Sequence, residues 1–414
     1  MTPKLPPKTS RLGIVAWCLY DWGNSAFSTV ILTFIFATYF VEKIAINKIT
    51  GTAQWGKAVA IAGLIIAVSS PIFGAIADHE GRRKPWVAVF MGVAIISAVF
   101  LGFAQPSPAY VRWTLVWLVL GVVGLEVSVV FYNAMMTHLV SPNYLGRLSG
   151  WGWGVGYFGG LVSLVFGLFL ADANAVRLCG PLVAVWYALF AIPLFIWTPD
   201  APSTGVRFTT AIRLGLKELL NTIRMLPQYK QMVKFLLAHM IYVDALNTIF
   251  AFGGIYAAGT FNMDMTEVIE FGVAMNIAAG CGAISFGWLD DAIGAKPTIL
   301  ISLGIMLTMG IAMLLVYSKL VFWILGMLLS LSFGPVQSAS RSLMLRLAPK
   351  RLMTEMFGLY ALSGKVTAFM GPWLLGTFTL LFNSQRVGMS TTMFFLVFGA
   401  ILLCFVKLPR LEEN

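Results

Sequence analysis

Long apolar runs without a single charged residue follow one another along this chain of 414 residues. The clearest of them cover residues 85–111, 148–171, 297–318, 320–340, 366–385 and 387–406. Each is long enough for a helix to cross the hydrocarbon core of a bilayer, which is about 30 Å thick. The pattern therefore predicts a multi-pass, all-α membrane protein.

Polar interruptions divide the chain into twelve predicted transmembrane helices. We place them at 12–40, 54–79, 85–104, 113–137, 147–171, 178–199, 232–258, 266–289, 297–318, 320–345, 354–382 and 387–406. The one long connection, 200–231, alternates basic and apolar residues, which is typical of an amphipathic helix on a membrane surface. The sequence thus predicts an N-terminal six-helix half (1–199), a linker (200–231) and a C-terminal six-helix half (232–414).

A cluster of glycines, an acid and bases lies in the turn between the second and third predicted helices. It consists of Gly74, Asp78, Gly81, Arg82, Arg83 and Lys84. The same spacing recurs 213 residues later, where the corresponding positions are Gly287, Asp291, Gly294 and Lys296. An internal repeat of this length is typical of a duplicated transporter half.

These residue types favour a helix contact that forms in one state of the protein and breaks in another. A carboxylate at a helix end pairs with the backbone N–H groups of a neighbouring helix, or with an arginine, and glycines allow the backbones to approach closely. The alternative is that the bases Arg82, Arg83 and Lys84 only set the topology. The turn resembles the signature loop of the major facilitator superfamily. That resemblance implies two pseudo-symmetric six-helix bundles.

Hydrophobic residues make up 59% of the chain and charged residues 11%, and the net charge is +11. With twelve helices and the N-terminus inside, 19 Lys and Arg fall on the inner side and seven on the outer side. This asymmetry predicts that both termini lie in the cytoplasm. The positive charge thus reflects topology, and we expect no nucleic-acid partner.

No cluster of residues points to an enzyme or to a bound metal. The four cysteines are scattered and have no paired spacing, and His79-Glu80 lacks a second histidine at helical distance. We therefore expect no catalytic residues, no metal and no cofactor. The expected partners are a small-molecule substrate, protons and the lipid bilayer, and the expected oligomeric state is a monomer.

Four charged residues lie deep within predicted helices: Asp21, Glu126, Asp244 and Lys365. A charge inside a bilayer is costly and normally faces a protein interior or a watery cavity, so each is a functional candidate. Asp21-x-x-Asn24 in the first helix is repeated as Asp244-x-x-Asn247 in the seventh. In the resembled fold, helices 1, 4, 7 and 10 line a central cavity, where these charges would meet.

Three acids and one base favour a cationic or zwitterionic solute. A buried carboxyl group among other acids also binds a proton more readily than in water, which is the usual condition for proton coupling. The candidates for the proton carrier are Asp21 and Glu126, and Lys365 is the candidate partner of a substrate carboxylate. The alternatives are a static pair between Glu126 and Lys365 and a purely structural Asp244.

Buried amides add polar groups to the predicted binding site. Three of them, Asn24, Asn133 and Asn247, lie in the same predicted helices as Asp21, Glu126 and Asp244. The fourth, Gln337, lies in the tenth predicted helix. Each either contacts the substrate or forms a hydrogen bond between helices, since such bonds are common within membranes.

Several longer motifs resemble one branch of the superfamily, the autophagy-related vacuolar amino-acid effluxer-like family. They are Tyr20-Asp21-Trp22-x-Asn24-Ser25, Phe131-Tyr132-Asn133-Ala134, Gly146-Arg147-Leu148-Ser149-Gly150 and Gly334-Pro335-Val336-Gln337-Ser338. The resemblance implies export or exchange of amino acids or related small metabolites by alternating access, through a bacterial-type inner membrane. The acidic cavity leaves open a second candidate, a siderophore or drug-like cation exporter. A candidate of another class is a membrane sensor or lipid scramblase without solute transport.

Overall fold

A computed structural model describes residues 9–172, 175–225 and 228–408, and every regular element in these ranges is helical. The chain ends, for which the sequence predicts a cytoplasmic location, extend beyond the described residues. The α-helices are α1 (Arg11–Ala26), α2 (Ile35–Tyr39), α3 (Lys48–Glu80), α4 (Lys84–Leu101), α5 (Val111–Leu139), α6 (Leu145–Asp172), α7 (Cys179–Trp197), α8 (Phe208–Met225), α9 (Lys230–Phe261), α10 (Met265–Ile293), α11 (Ala295–Leu315), α12 (Lys319–Leu347), α13 (Met353–Val366), α14 (Met370–Phe382) and α15 (Gln385–Cys404).

Twelve helical stretches in the described part of the chain are long and apolar enough to cross a membrane. They run from Arg11–Ile44 to Gln385–Cys404, and each overlaps one of the twelve predicted helices. The predicted all-α membrane fold is thus confirmed. The long apolar runs were sufficient for this prediction, because a span of this length leaves little choice but a helix.

In two of the twelve spans, the α-helix is interrupted within the span rather than at its end. In the first span, π-helical segments Phe27–Phe34 and Phe40–Ile44 flank α2. The Thr33 hydroxyl donates a hydrogen bond to the carbonyl of Ser28 at 2.8 Å, five residues back, which suits the wider π turn.

The eleventh span is interrupted between α13 and α14, at residues 367–369. Pro372 lies in the first turn of α14, where its missing N–H costs nothing. In an uninterrupted helix the same proline would remove the hydrogen bond to Ala368 and clash with its carbonyl. The interruption therefore places the proline where a helix tolerates it best.

The chain divides into two compact units, each built from three segments. Unit 1 comprises Met1–Ser141, Val155–Leu219 and Leu352–Ala361. Unit 2 comprises Pro142–Gly154, Leu220–Arg351 and Leu362–Asn414.

Aromatic side chains fill the interior of each unit. In unit 1, the Tyr132 ring stacks on Trp17 and Tyr20, with ring centroids 4.3 and 4.6 Å apart. In unit 2, Phe322 stacks on Phe261 and Phe271 at 4.1 and 5.1 Å. Aromatic pairs stabilise by about 0.5–1.5 kcal/mol beyond the burial of their area, so these stacks add specific geometry to the packing.

Helix α8 lies within the predicted linker. Ala211, Gly215 and Leu219 recur every four residues on one face and are buried. A Cβ added at Gly215 would lie 2.8 Å from the backbone nitrogen of Ile76, which places α8 directly against α3. Leu214, Leu216 and Leu220 on α8 are exposed.

Close helix packing depends on individual glycines, as the pair α4 and α5 shows. A Cβ added at Gly124 on α5 would lie 2.7 Å from the carbonyl oxygen of Phe90 and 2.8 Å from the nitrogen of Ala94. Gly92, on α4, has no such neighbours within 4 Å. The two glycines therefore differ in packing although both lie within transmembrane helices.

We predict that Gly124→Ala lowers the thermal unfolding midpoint of the purified protein, because α4 and α5 must separate to admit the methyl group. Gly92→Ala should leave the midpoint unchanged or raise it, since alanine is favoured over glycine within a helix by about 1 kcal/mol. Differential scanning fluorimetry in one detergent measures both variants. Equal midpoints for the two variants would contradict the packing argument.

Candidate functional site

Asp21 lies in a buried polar cluster of unit 1, and 9% of its surface is exposed. One carboxylate oxygen accepts a hydrogen bond from the Asn24 amide at 3.2 Å. The other accepts one from the hydroxyl of Tyr132, on α5, at 3.0 Å. The spacing Asp21-x-x-Asn24 thus brings acid and amide together on one face of α1, and α5 supplies a second donor.

Further hydroxyl groups lie next to this cluster. The Tyr20 hydroxyl is 2.7 Å from the hydroxyl of Tyr187 and 2.8 Å from that of Ser128. Tyr132 also donates to the carbonyl of Trp17 at 3.1 Å. These bonds join α1, α5 and α7. The bond to Trp17 helps to hold the Tyr132 phenol in place beside Asp21.

Glu126 and Asn133 both lie on α5, seven residues and therefore two helical turns apart. Asn133 is buried, with 7% of its surface exposed, and Glu126 is half-buried. Residues two turns apart point to the same side of a helix. α1 and α5 thus each contribute two of the predicted polar groups in unit 1, and α5 adds Tyr132.

Asp244 is the corresponding acid in unit 2, and only 1% of its surface is exposed. Oδ2 of its carboxylate accepts a hydrogen bond from the backbone N–H of Gly371, at the start of α14, at 3.1 Å. Asn247 is exposed, and among the described residues it makes no hydrogen bond to Asp244. The second Asp-x-x-Asn motif therefore has a different geometry from the first.

Gln337 and Lys365 complete the predicted set in unit 2. Gln337 lies on α12 and Lys365 in the last turn of α13, and both are half-buried. The Lys365 carbonyl accepts a hydrogen bond from Ala368 at 3.3 Å, within the interruption of the eleventh span. Lys365 thus lies at the end of α13, directly before the interruption of the eleventh span.

Asp78, in the first signature turn, binds the start of α13 within unit 1. Its carboxylate accepts hydrogen bonds from the backbone N–H groups of Thr354 and Glu355, each at 2.9 Å. The Thr354 hydroxyl adds a bond of 2.6 Å, and the Arg83 guanidinium lies 3.4 Å away. A carboxylate here satisfies N–H groups that have no partner within the helix and complements the positive end of its dipole.

The two glycines of the first turn are required for different physical reasons. A Cβ at Gly74 would lie 2.6 Å from the carbonyl oxygen of Thr354, so only glycine permits this approach of α3 and α13. Gly81 has a φ of 93°, a conformation that side chains other than glycine rarely adopt. Of the neighbouring bases, Arg83 is buried and contacts Asp78, whereas Arg82 is exposed.

Asp291, in the second copy of the turn, makes the same kind of contact within unit 2. Its carboxylate accepts hydrogen bonds from the backbone N–H groups of Gly146 and Arg147 at 2.8 and 3.3 Å. The Arg147 side chain adds an ion pair of 2.6 Å. Gly146 and Arg147 are the second and third residues of α6, just as Thr354 and Glu355 are the second and third residues of α13.

The other repeated positions of the second copy are Gly287, Gly294 and Lys296, and the lysine has a different partner from Arg83. Gly287 faces the start of α6, where its Cβ would lie 3.1 Å from Cα of Arg147. Gly294 ends α10 with a φ of 94°. Lys296 corresponds to Arg83 in spacing, but its ammonium group donates to the carbonyls of Cys404 and Val406 at 2.8 and 2.7 Å. It therefore stabilises the end of α15.

Sequence reasoning missed two polar residues in these clusters. Asp290, next to Asp291, is 2% exposed, pairs with Arg346 at 2.9 Å and accepts a hydrogen bond from Ser342. Tyr132 is the donor to Asp21. The pair of adjacent acids in the sequence could have indicated Asp290. Tyr132 was noted only within the Phe131-Tyr132-Asn133 motif, which does not indicate its bond to Asp21.

The described residues contain no group of three or more His, Cys, Asp and Glu side chains that could hold a metal ion. The candidate residues Asp21, Asp78, Asp244 and Asp291 are acids bonded to hydroxyls, amides or helix starts within a multi-span helical fold. This combination is typical of a membrane transporter. The fold agrees: the structure superposes on the E. coli fucose:proton symporter FucP with a TM-score of 0.74, covering 96% of this chain and 98% of that one at 14% identity.

The protein therefore has the fold of the major facilitator superfamily, whose members are transporters rather than enzymes. The family described as "Vacuole effluxer Atg22 like" matches residues 43–414, and the chain belongs to that family.

Two relatives illustrate the range of this similarity. An uncharacterized MFS-type transporter of Bacillus subtilis, YxiO, is 28% identical over 405 residues, which cover 94% of each chain. Autophagy-related protein 22 of Botryotinia fuckeliana is 26% identical over 262 residues, which cover 56% of this chain and 39% of the fungal protein. The bacterial relative thus matches nearly throughout, whereas the chain spans less than half of the fungal one.

We predict that Arg147 and Asp291 are energetically coupled. In a double-mutant cycle of Arg147→Ala and Asp291→Ala, the effects on unfolding free energy should be non-additive by about 1–3 kcal/mol, because contacting residues in one network share their interaction. The exposed pair Lys48 and Glu42 is the control and should show additive effects. Additivity at Arg147 and Asp291 would show that their ion pair does not stabilise the fold.

Proposed function

We propose that this protein is a secondary active transporter that moves a small polar or zwitterionic metabolite, such as an amino acid, by alternating access. The observation that supports this most directly is the Asp21 cluster, a buried acid bonded to an amide and a phenol inside a transporter fold. Buried acids in a membrane protein are costly and mark substrate or ion pathways. The family's description as an effluxer favours export.

The proposed substrate contacts are the polar side chains predicted from the sequence. Asp21, Glu126 and Asp244 would bind an ammonium group, and Lys365 would bind a carboxylate. The amides Asn24, Asn133, Asn247 and Gln337 would contribute hydrogen bonds. A zwitterion needs both signs of charge in its site, and this set provides both.

Proton coupling is part of the proposal. Asp21 is the first candidate for the proton carrier and Glu126 the second. The Tyr132 hydroxyl and the Asn24 amide donate to Asp21 and hold its carboxylate in place, so that a change in its charge would alter two defined hydrogen bonds. The superposed E. coli protein is named as a fucose:proton symporter, which makes a proton gradient a reasonable driving force to test.

The two signature turns would act as conformational gates. Asp78 and Asp291 each bind two backbone N–H groups at the start of a helix. Such contacts involve few atoms and depend on geometry, so a small displacement of the helix breaks all of them together. Gly74, Gly81, Gly287 and Gly294 would permit the close approach, and Arg83 would strengthen the first contact.

The distribution of Lys and Arg supports insertion in a bacterial-type inner membrane with both termini in the cytoplasm. The signature turns would then lie on the cytoplasmic side. We propose that the transporter acts as a monomer. The shared family favours this transport function over a siderophore or drug-cation exporter, a sensor or a scramblase, and the experiments below distinguish among them.

We predict that Asp21→Asn abolishes proton-driven transport. The substrate is first found by thermal-shift screening of the purified protein against amino acids, peptides, polyamines and siderophores. The stabilising compound is then followed in proteoliposomes under an imposed pH gradient. The amide keeps the size of the side chain but cannot carry the proton, so gradient-driven flux should fall to the level of empty liposomes.

The surface acid Glu42 provides the control, and Glu42→Gln should transport normally. Full pH-driven flux in Asp21→Asn would remove Asp21 from the coupling mechanism. A polyamine or siderophore as the transported compound would favour the exporter of cations or siderophores. Lipid exchange between leaflets without any solute flux would favour a scramblase, and ligand binding without any flux would favour a sensor.

We also predict that Asp78→Ala slows transport and leaves substrate affinity unchanged, because Asp78 binds a helix start rather than the proposed substrate site. The rate of substrate exchange in proteoliposomes and the thermal shift caused by the substrate measure the two effects separately. Glu42→Ala is the matched surface control. Unchanged turnover of Asp78→Ala would assign the first signature turn to topology alone.

A further inference from the structure

Asp244 combines three features that together point to a bound cation. It lies within the seventh span, it is 1% exposed, and its Oδ1 atom has no hydrogen-bond donor among the described residues. Its Oδ2 atom, in contrast, accepts the N–H of Gly371. An ionised carboxylate that is removed from water with one oxygen unpaired is costly, so its charge must be balanced from another source.

The unpaired oxygen of Asp244 lies beside Gly371 and near the hydroxyl of Thr248. A Cβ added at Gly371 would lie 3.0 Å from Oδ1 of Asp244 and would collide with Oγ1 of Thr248. The Thr248 hydroxyl donates to the carbonyl of Asp244 at 2.7 Å, so its lone pairs are left to bind a cation. Two hard oxygen atoms close to the same glycine suit a small cation.

The interruption of the eleventh span comes just before Gly371 and contacts α9. Residues 367–369 are not helical, and α14 begins at Met370. The Thr367 hydroxyl donates to the carbonyl of Met240 on α9 at 3.1 Å, which ties the interruption to the helix of Asp244. Interrupted membrane helices supply free backbone groups and often surround coupling ions in transporters.

The described charged groups on the helices around this part of α9 form no ion pair with Asp244. No Lys, Arg or His of the described residues lies within ion-pair distance of Asp244, and α14 carries no charged residue. On α9 itself, His239 bonds to Ser363 at 2.8 Å. The elements beside α9 carry Glu267, Glu270, Asp290 and Asp291 on α10, Lys319, Arg341 and Arg346 on α12, Glu355 and Lys365 on α13, and Arg386 on α15.

We propose that Asp244 and Thr248, beside the interruption of the eleventh span, form the binding site of a small monovalent cation, which is either a proton or Na⁺. The cation neutralises Oδ1, and Thr248 Oγ1 is its second oxygen partner. This proposal rests on the transport function proposed above and adds to it a coupling-ion site in unit 2. For Asp244, this role replaces the contact with a substrate ammonium group proposed above, which Asp21 and Glu126 retain.

The two cations are distinguished on the purified full-length protein without any transport substrate. Radioactive sodium in choline buffer tests for bound Na⁺ at equilibrium. Infrared difference spectra of wild type minus Asp244→Asn, recorded from mildly acidic to mildly basic pH, test for the carbonyl band of a protonated carboxylic acid. Asp264→Asn is the matched control, because Asp264 is an exposed residue that caps α10 and asparagine also caps helices.

The proposal expects one of two results. Either sodium binding falls by about tenfold or more in Asp244→Asn, which corresponds to at least about 1.4 kcal/mol, or the difference spectrum contains the protonated-acid band. Asp264→Asn should retain the wild-type behaviour in both measurements. Absence of bound sodium in wild type, together with absence of the band at every pH, would overturn the proposal.

A second variant keeps the acid and tests the site independently of folding. Thr248→Val removes only Oγ1 and should weaken sodium binding or shift the frequency of the protonated-acid band, depending on the cation. No change in either measurement would exclude Thr248 from the site. Because neither measurement uses a solute, a negative transport assay with a positive cation result would contradict the transport function and leave this site intact.

Discussion

The start of a helix presents backbone N–H groups that need acceptors, and within a membrane-spanning protein water does not readily supply them. Three carboxylates meet this need. Asp78 binds the start of α13, Asp291 the start of α6 and Asp244 the start of α14. Because a buried carboxylate is itself costly without donors, acid and helix start stabilise one another, and removing either leaves the other without a partner. Much of the polar chemistry of both units follows from this mutual requirement.

The same constraint explains why the two signature turns look alike in spacing and differ in detail. Both place an acid against the second and third residues of a helix. The first adds a threonine hydroxyl and a buried arginine from its own turn, Arg83. In the second, the arginine belongs to the partner helix, as Arg147, and the lysine at the position of Arg83 binds the end of another helix. The repeat thus retains the contact with the helix start, whereas the sources of the additional donors have diverged.

The fold was largely predictable, because apolar length alone determines a transmembrane helix. The contact of Asp21 with Asn24 was predictable too, since both lie on one face of one helix. Its contact with Tyr132 was not, because that bond depends on how α1 packs against α5. For Asp244 and Asn247 the same local spacing gave a different result, since the interruption at residues 367–369 offers the acid another donor. Helical periodicity shows which residues share a face of one helix, whereas these contacts depend on how two helices pack against each other.

The interruption of the eleventh span also has a mechanical consequence. A continuous helix transmits rotation and tilt along its whole length, whereas here the shorter bonds Ala368–Lys365 and Met370–Thr367 replace the α-helical ladder. The start of α13 is held by Asp78, and α14 is held at its own start by Asp244. The two helices of this span are therefore anchored independently of each other, each through backbone N–H groups of its first turn.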